Sequence, residues 1–147
     1  MGKRRRAREL TLQFLYQYDT LKESSPEEVN VQETINELFW KTKEVSLQDE
    51  VKEFADTLIK GTCENMDGID DIIDRYSEHW KLSRMSRIDR NILRMAVYEL
   101  VYLRGIPPAV TINEAVELAK RYGTEESGAF VNGILDKVRI AFSKGEL

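Results

Sequence analysis

The residues best suited to chemistry stand in the first eight positions. Lys3, Arg4, Arg5, Arg6 and Arg8 give this stretch a charge of +5 without one acid, against −9 for the rest of the chain. A guanidinium can grip a phosphate through paired N–H donors or lie flat on an unpaired base. On a helix the four arginines spread around the first turn or sit just before it. An acidic body with a basic arm holds phosphates at one end and repels them over much of its surface, so it is no general polyanion binder. A basic N-terminus that only aids solubility carries the same charge, and charge alone does not separate the two readings.

Other reactive types are sparse. His79 is the one histidine and Cys63 the one cysteine. A multi-histidine metal site and an internal disulfide are therefore excluded, and one thiol fits a reducing cytoplasm. His79 beside Trp80 reads as a helix-end or packing residue, and Cys63 as a packing or surface thiol. The chain lacks GxxxxGK[ST], GxGxxG and GxSxG, so no phosphate loop, dinucleotide fingerprint or nucleophile elbow is expected. Asp67, Asp70, Asp71 and Asp74 do not have EF-hand spacing and suit a solvated helix start, where acids favour the dipole. The expectation is a protein that is not an enzyme, without metal or cofactor.

The elements that must hold the arm read as helices. Leu10, Phe14, Tyr18 and Leu21 share one face of a first helix over about 4–21. Tyr16 projects on the side of Arg5, away from that face, with Leu12 near it. A Leu12/Tyr16 patch of this kind serves a partner or a stacked base, or lies under a second layer of helices; the pattern leaves both open. Ser25, Pro26 and Glu28 open a second helix with Val31, Ile35, Leu38 and Phe39 inward. Ser46 and Asp49 open a third, with Val51, Phe54, Ala55, Leu58 and Ile59 inward. Asp67 opens a fourth that aligns Ile69, Ile72, Ile73, Tyr76 and Trp80. A short basic connection, Lys81–Arg87, follows. Ser86 and Asp89 open a fifth helix over about 87–103, apolar over most of its circumference and so central to the core. Gly105-Ile106-Pro107-Pro108 stops it.

Thr111 and Glu114 have capping-box spacing for a sixth helix, and Gly123 stands where a left-handed cap would end it. Phe130, Val131, Ile134, Leu135 and Val138 make the seventh stripe. Gly128 and Gly133 inside that helix each cost roughly 1 kcal/mol against alanine, which points to close helix packing or a close partner. Seven helices and no strand define an all-α fold, a bundle in one compact domain. A break near Asn65 divides it into subdomains 1–64 and 65–147. The 147 residues contain no apolar run long enough to span a membrane, and no apolar segment follows the basic start, so no signal peptide is read.

Two stretches carry a resemblance. INEAVELAKRYG…FVNGILDKV, within 111–138, and the arginine-rich start Lys3–Glu9 resemble the ends of the NusB family of bacterial transcription antitermination factors. The resemblance spans nearly the whole chain and is strongest over 3–18 and 84–138. It implies an all-α fold of two small helical subdomains, and a binding role rather than catalysis. It implies contact with single-stranded boxA RNA of ribosomal RNA operon leaders for Arg4, Arg5, Arg6 and Arg8. Gln13 and Tyr16 fall in the matching RE-L-xx-Q-x-LY pattern and join the RNA or protein interface. Arg84 and Arg87, with Lys81, continue the RNA path or form an exposed hinge.

The implied protein partner is NusE, a small-subunit ribosomal protein, and beyond it RNA polymerase with other Nus factors. Leu12, Tyr16, Glu126 and Phe130 are the residues placed at that partner surface, although by spacing Phe130 belongs to the core. Family members often carry a basic residue just before FVNG; here it is Ala129, so a phosphate contact at that point is lost or replaced. The resemblance also admits a second reading, a detached accessory module of a ribosomal RNA methyltransferase system. Whether the free protein is a monomer or a weak homodimer stays open.

Overall fold

A computed structural model describes residues 2–24, 33, 40 and 49–147. Apart from residue 33, the helix expected over 25–39 lies outside these, as does the Ser46 cap. Helix α1 runs Lys3–Ser24, α2 Asp49–Glu64, α3 Met66–Tyr76, α4 Arg87–Val97, α5 Pro108–Tyr122 and α6 Ser127–Ser143. A 3-10 turn, Leu82–Arg84, precedes α4, and a π-helical segment, Tyr98–Tyr102, continues it. No strand occurs among the described residues.

Helix α4 is the hub. It packs on α1, α3, α5 and α6 and touches α2, although the expected apolar circumference is interrupted by Arg90, Asn91 and Arg94, which bond to Asp19 and Asp70. Ile92, Leu93, Met95, Ala96 and Val97 are all buried. Helices α5 and α6 form a tightly packed pair, as do α1 and α2. The cap at Ser86 is as read: its Oγ accepts from Asp89 N at 3.1 Å. Asn65 alone separates α2 from α3, and its Nδ2 donates to Gly61 O at 2.8 Å.

Several local readings need correction. Helix α5 begins at Pro108, not at Thr111. Proline at the first helical position has no N–H to leave unpaired and its φ is already helical, so it starts the helix three residues early. The supposed capping box is thereby released for long-range work: the Thr111 hydroxyl donates to Glu99 and Glu114 accepts from Arg5. Gly123 ends α5 in extended backbone, φ −96° and ψ −157°, not in the left-handed region. Its glycine is required by proximity, because a Cβ there would lie 2.4 Å from Ser127 Oγ and 2.8 Å from Ala119 O. Ser127 Oγ accepts from Thr124 N at 2.9 Å and closes the turn into α6.

Gly128 fits the close-packing reading, with Lys120 Cγ 3.2 Å from a built Cβ, but Gly133 faces open space. Trp80 does not extend the inward stripe of α3; the helix ends at Tyr76 and the indole is 56% exposed. Two of the four acids at α3 do more than meet solvent. Asp70 accepts two bonds from Arg94, at 2.8 and 3.0 Å, and Asp74 Oδ1 accepts from Leu82 N at 2.8 Å.

Candidate nucleic-acid interface

The arm is the first turn of α1, so its side chains leave a rigid helix in different directions. Arg8 points inward. It is 2% exposed, and its Nε and Nη2 donate to the two Glu99 oxygens at 2.8 and 2.7 Å. Thr111 Oγ1 adds a third bond to Glu99, at 3.0 Å. This triad ties α1, the π segment and α5 together. The expectation that Arg8 grips RNA is corrected here: its guanidinium is spent on a buried carboxylate, and a charge of that kind stays inside only when fully paired.

The other cations stay near the surface, and each has a partner. Lys3 Nζ lies 2.8 Å from Glu50, and the Arg4 guanidinium sits 4.8 Å over the Phe54 ring. Arg5 Nη2 reaches Glu114 Oε2 at 2.6 Å, with Nε at 3.1 Å from the same oxygen. Arg6 Nη1 is 3.7 Å from Glu9. Glu9 is itself buried and accepts from the Tyr122 hydroxyl at 2.8 Å, with Arg121 Nη1 at 3.1 Å. The Glu114 carboxylate raises the Arg5 guanidinium above its ordinary value, and burial followed by the bond to Glu9 raises the Tyr122 hydroxyl. Between α1 and α5 these groups enclose a cleft of about 250 Å³ lined by Arg5, Arg8, Glu9, Glu114, Lys120 and Arg121, among others.

A second hollow adjoins the first through Glu9, which lines both, and Tyr122 belongs to the second. It holds about 260 Å³ among Leu12, Gln13, Tyr16, Gln17 and Ile88. Leu12 forms its buried floor, while Tyr16, 40% exposed, stands at the rim with the Arg87 guanidinium 5.7 Å over its ring. Arg87 also pairs with Glu23. So the Leu12/Tyr16 pattern resolves into one covered residue and one accessible aromatic. A third hollow, of about 320 Å³, lies where the 3-10 turn meets the start of α6, between Trp80, Arg84, Asp89, Glu126 and Phe130.

The structure thus brings Arg5 to the first hollow, Leu12, Gln13 and Tyr16 to the second, and Arg84, Glu126 and Phe130 to the third. The start of α4 separates the last two, with Ile88 lining the second and Ser86 and Asp89 the third. Sequence reasoning missed Glu114, Lys120, Arg121 and Trp80. The basic pair Lys120-Arg121 in the last turn of α5 was the available signal, since it ends up beside the arm. Trp80 was hidden by extending the α3 stripe one turn too far. Among the described residues, no three histidine, cysteine or acidic side chains are placed to hold a metal ion, and no helix is long and apolar enough to cross a membrane.

Fold and surface together define an all-α binding module whose basic first turn flanks a run of three hollows along α1, α4, α5 and α6. The NusB family model matches residues 5–139. The transcription antitermination protein NusB of Thermodesulfovibrio yellowstonii is 49% identical over 139 residues, covering 92% of this chain and 91% of that protein. That of Myxococcus xanthus is 47% identical over 147 residues, covering 98% and 99%. Among solved structures, Thermotoga maritima NusB aligns with a TM-score of 0.79 at 43% identity, covering 98% of this chain and 97% of that one. A chain from the complex of antitermination factors NusB and NusE with double-stranded RNA aligns with a TM-score of 0.74 at 30% identity, covering 96% and 98%. The chain belongs to the NusB family. Its relatives match over nearly their own full length.

Proposed function

We propose that this protein is a transcription antitermination factor of the bacterial cytoplasm. It binds the boxA element of ribosomal RNA operon leaders together with NusE, and supports antitermination by RNA polymerase. The observation that carries the reading is the set of cations Arg4, Arg5 and Arg6 on the first turn of α1, with Arg5 lining one cleft together with Lys120 and Arg121 of α5, in a chain 49% identical to an antitermination protein. The NusE- and RNA-bound relative supports the same partners. No bond is made or broken: the work is binding linkage, in which RNA and NusE each raise the affinity of the other.

In this proposal Arg4, Arg5, Arg6, Arg84 and Arg87 hold phosphates, with Gln13 beside them. Tyr16 and Phe130 offer aromatic faces to a base or to NusE over the floor made by Leu12, and Glu126 offers its charge to a basic partner. An acidic body also complements a basic ribosomal protein. The test is retention of boxA-type single-stranded RNA and of a scrambled RNA of equal length, at two salt concentrations, with and without NusE. The expected result is selective binding, strengthened by NusE, whose logarithm falls with slope near −0.7 per phosphate neutralised. Equal weak binding to both RNAs, unaffected by NusE, overturns the proposal.

A further inference from the structure

The arm meets its carboxylates before it meets any ligand. Arg5 is held by two of its nitrogens on Glu114, and its own side chain is 43% exposed while that of Glu114 is 16% exposed. Glu114 also touches a second cation: its Oε1 lies 3.7 Å from Arg8 Nη1, the one Arg8 nitrogen not engaged by Glu99. The pair is therefore asymmetric. The end of Arg5 is open to solvent, whereas Glu114 lies against a buried guanidinium held by two bonds to Glu99. A carboxylate in this position offers Arg5 the planar two-oxygen edge that a phosphate offers.

We propose that Glu114 is an intramolecular stand-in for an RNA backbone phosphate at Arg5. The RNA does not recruit a free guanidinium there but exchanges with a resident carboxylate, which is then retained by Arg8. Glu114 in this way lowers RNA affinity and sets the fraction of Arg5 open to phosphate. The inference rests on the RNA-binding reading above. Arg5 is the accessible arm arginine so tied: Lys3 meets Glu50 at 2.8 Å with both side chains exposed, Arg8 is buried on Glu99, and Arg6 approaches Glu9 only to 3.7 Å, where Glu9 is already satisfied by Tyr122 and Arg121.

The experiment measures boxA-type RNA affinity of the full chain in four forms: wild type, Glu114→Gln, Arg5→Ala and the double variant. Glu114→Gln is expected to tighten binding about five-fold at low salt, the scale of a partly exposed ion pair. The same change in the Arg5→Ala background is expected to give no gain. Glu114→Asp keeps a charge beside Arg8 but withdraws from Arg5, so it guards against misfolding of the glutamine variant, and it should give a smaller gain of the same sign. Unchanged or weaker binding by folded Glu114→Gln overturns the proposal. So does a gain that persists without Arg5, because that is the general effect of deleting a negative charge near RNA. If wild type binds boxA-type RNA no better than scrambled RNA, the underlying reading fails, and the exchange falls with it.

Discussion

Arg6 and Arg8 stand two residues apart and have opposite fates, and a pair of substitutions should display it. Arg8→Ala leaves Glu99 buried without its bidentate partner and is expected to cost about 3–5 kcal/mol, read as a lower urea midpoint. Arg6→Ala removes a surface charge 42% exposed on its side chain; it should leave that midpoint nearly unchanged and weaken RNA retention. A loss of RNA binding by both with equal stability would place Arg8 on the surface after all. Asp19 offers a test by pH. Burial raises its carboxyl, but hydrogen bonds from Arg90 and Asn91 and the charges of Arg94 and Arg90 outweigh this and hold it below the ordinary value. A depressed folded value means the stabilisation is complete above the unfolded value, about 3.9, and is lost as pH falls through the folded one. Asp70 runs the other way: burial outweighs the Arg94 bond and raises it, so its protonation in acid favours the fold. The urea midpoint of wild type should therefore fall more steeply below about pH 4 than that of Asp19→Asn.

At the level of elements, two glycines on different helices make opposite predictions. A Cβ on Gly61 would fall 2.0 Å from Tyr98 Cζ, inside the ring that crosses α2, whereas a Cβ on Gly133 meets nothing within 4 Å. Gly61→Ala should then lower the thermal midpoint, and Gly133→Ala should raise stability by about 0.5–1 kcal/mol. A loss at Gly133 would mean that the open space is not solvent. Much of this level was legible beforehand. The stripes of α1 (apart from Leu21, which is 37% exposed), of α2 and of the buried apolar face of α4 follow from the 3.6-residue period, and the Ser86 cap from residue type. What the period cannot show is how a helix starts or which distant group claims a polar side chain. Thr111 and Glu114 matched a local motif, yet Glu99 and Arg5, twelve and 109 residues away, outbid it. The π segment was likewise silent, because Tyr98–Tyr102 carries ordinary helical residues; its wide turn is closed at its end by the bond from Leu103 N to Tyr98 O, at 3.0 Å.

Across the whole molecule, long-range ion pairs join elements that the hydrophobic core alone would leave free to slide. Asp19 of α1 meets Arg90, Asn91 and Arg94 of α4, and Arg94 passes on to Asp70 of α3. Three helices are thus registered at one point by charges that are each only partly exposed. The site was legible at this scale only in outline. A basic arm on an acidic body announced where phosphates belong, but net charge could not reveal that the arm's own acids arrive from α2 and α5, 47 and 109 residues further along.

The burial of Arg8 has a consequence for proteases. Trypsin cuts after lysine or arginine only where the backbone can be drawn out into an extended strand. Lys3 opens the helix and its peptide bond frays easily, but freeing Arg8 requires separating α1 from Glu99 and Thr111, which is to say unfolding the core. Under brief digestion the chain should first lose its tip after Lys3 or Arg4, and a fragment starting at Glu9 should form at the rate of global opening. Mass spectrometry of the N-terminal fragments would show both clocks in one sample, and early appearance of the Glu9 fragment would show that the first turns of α1 detach on their own.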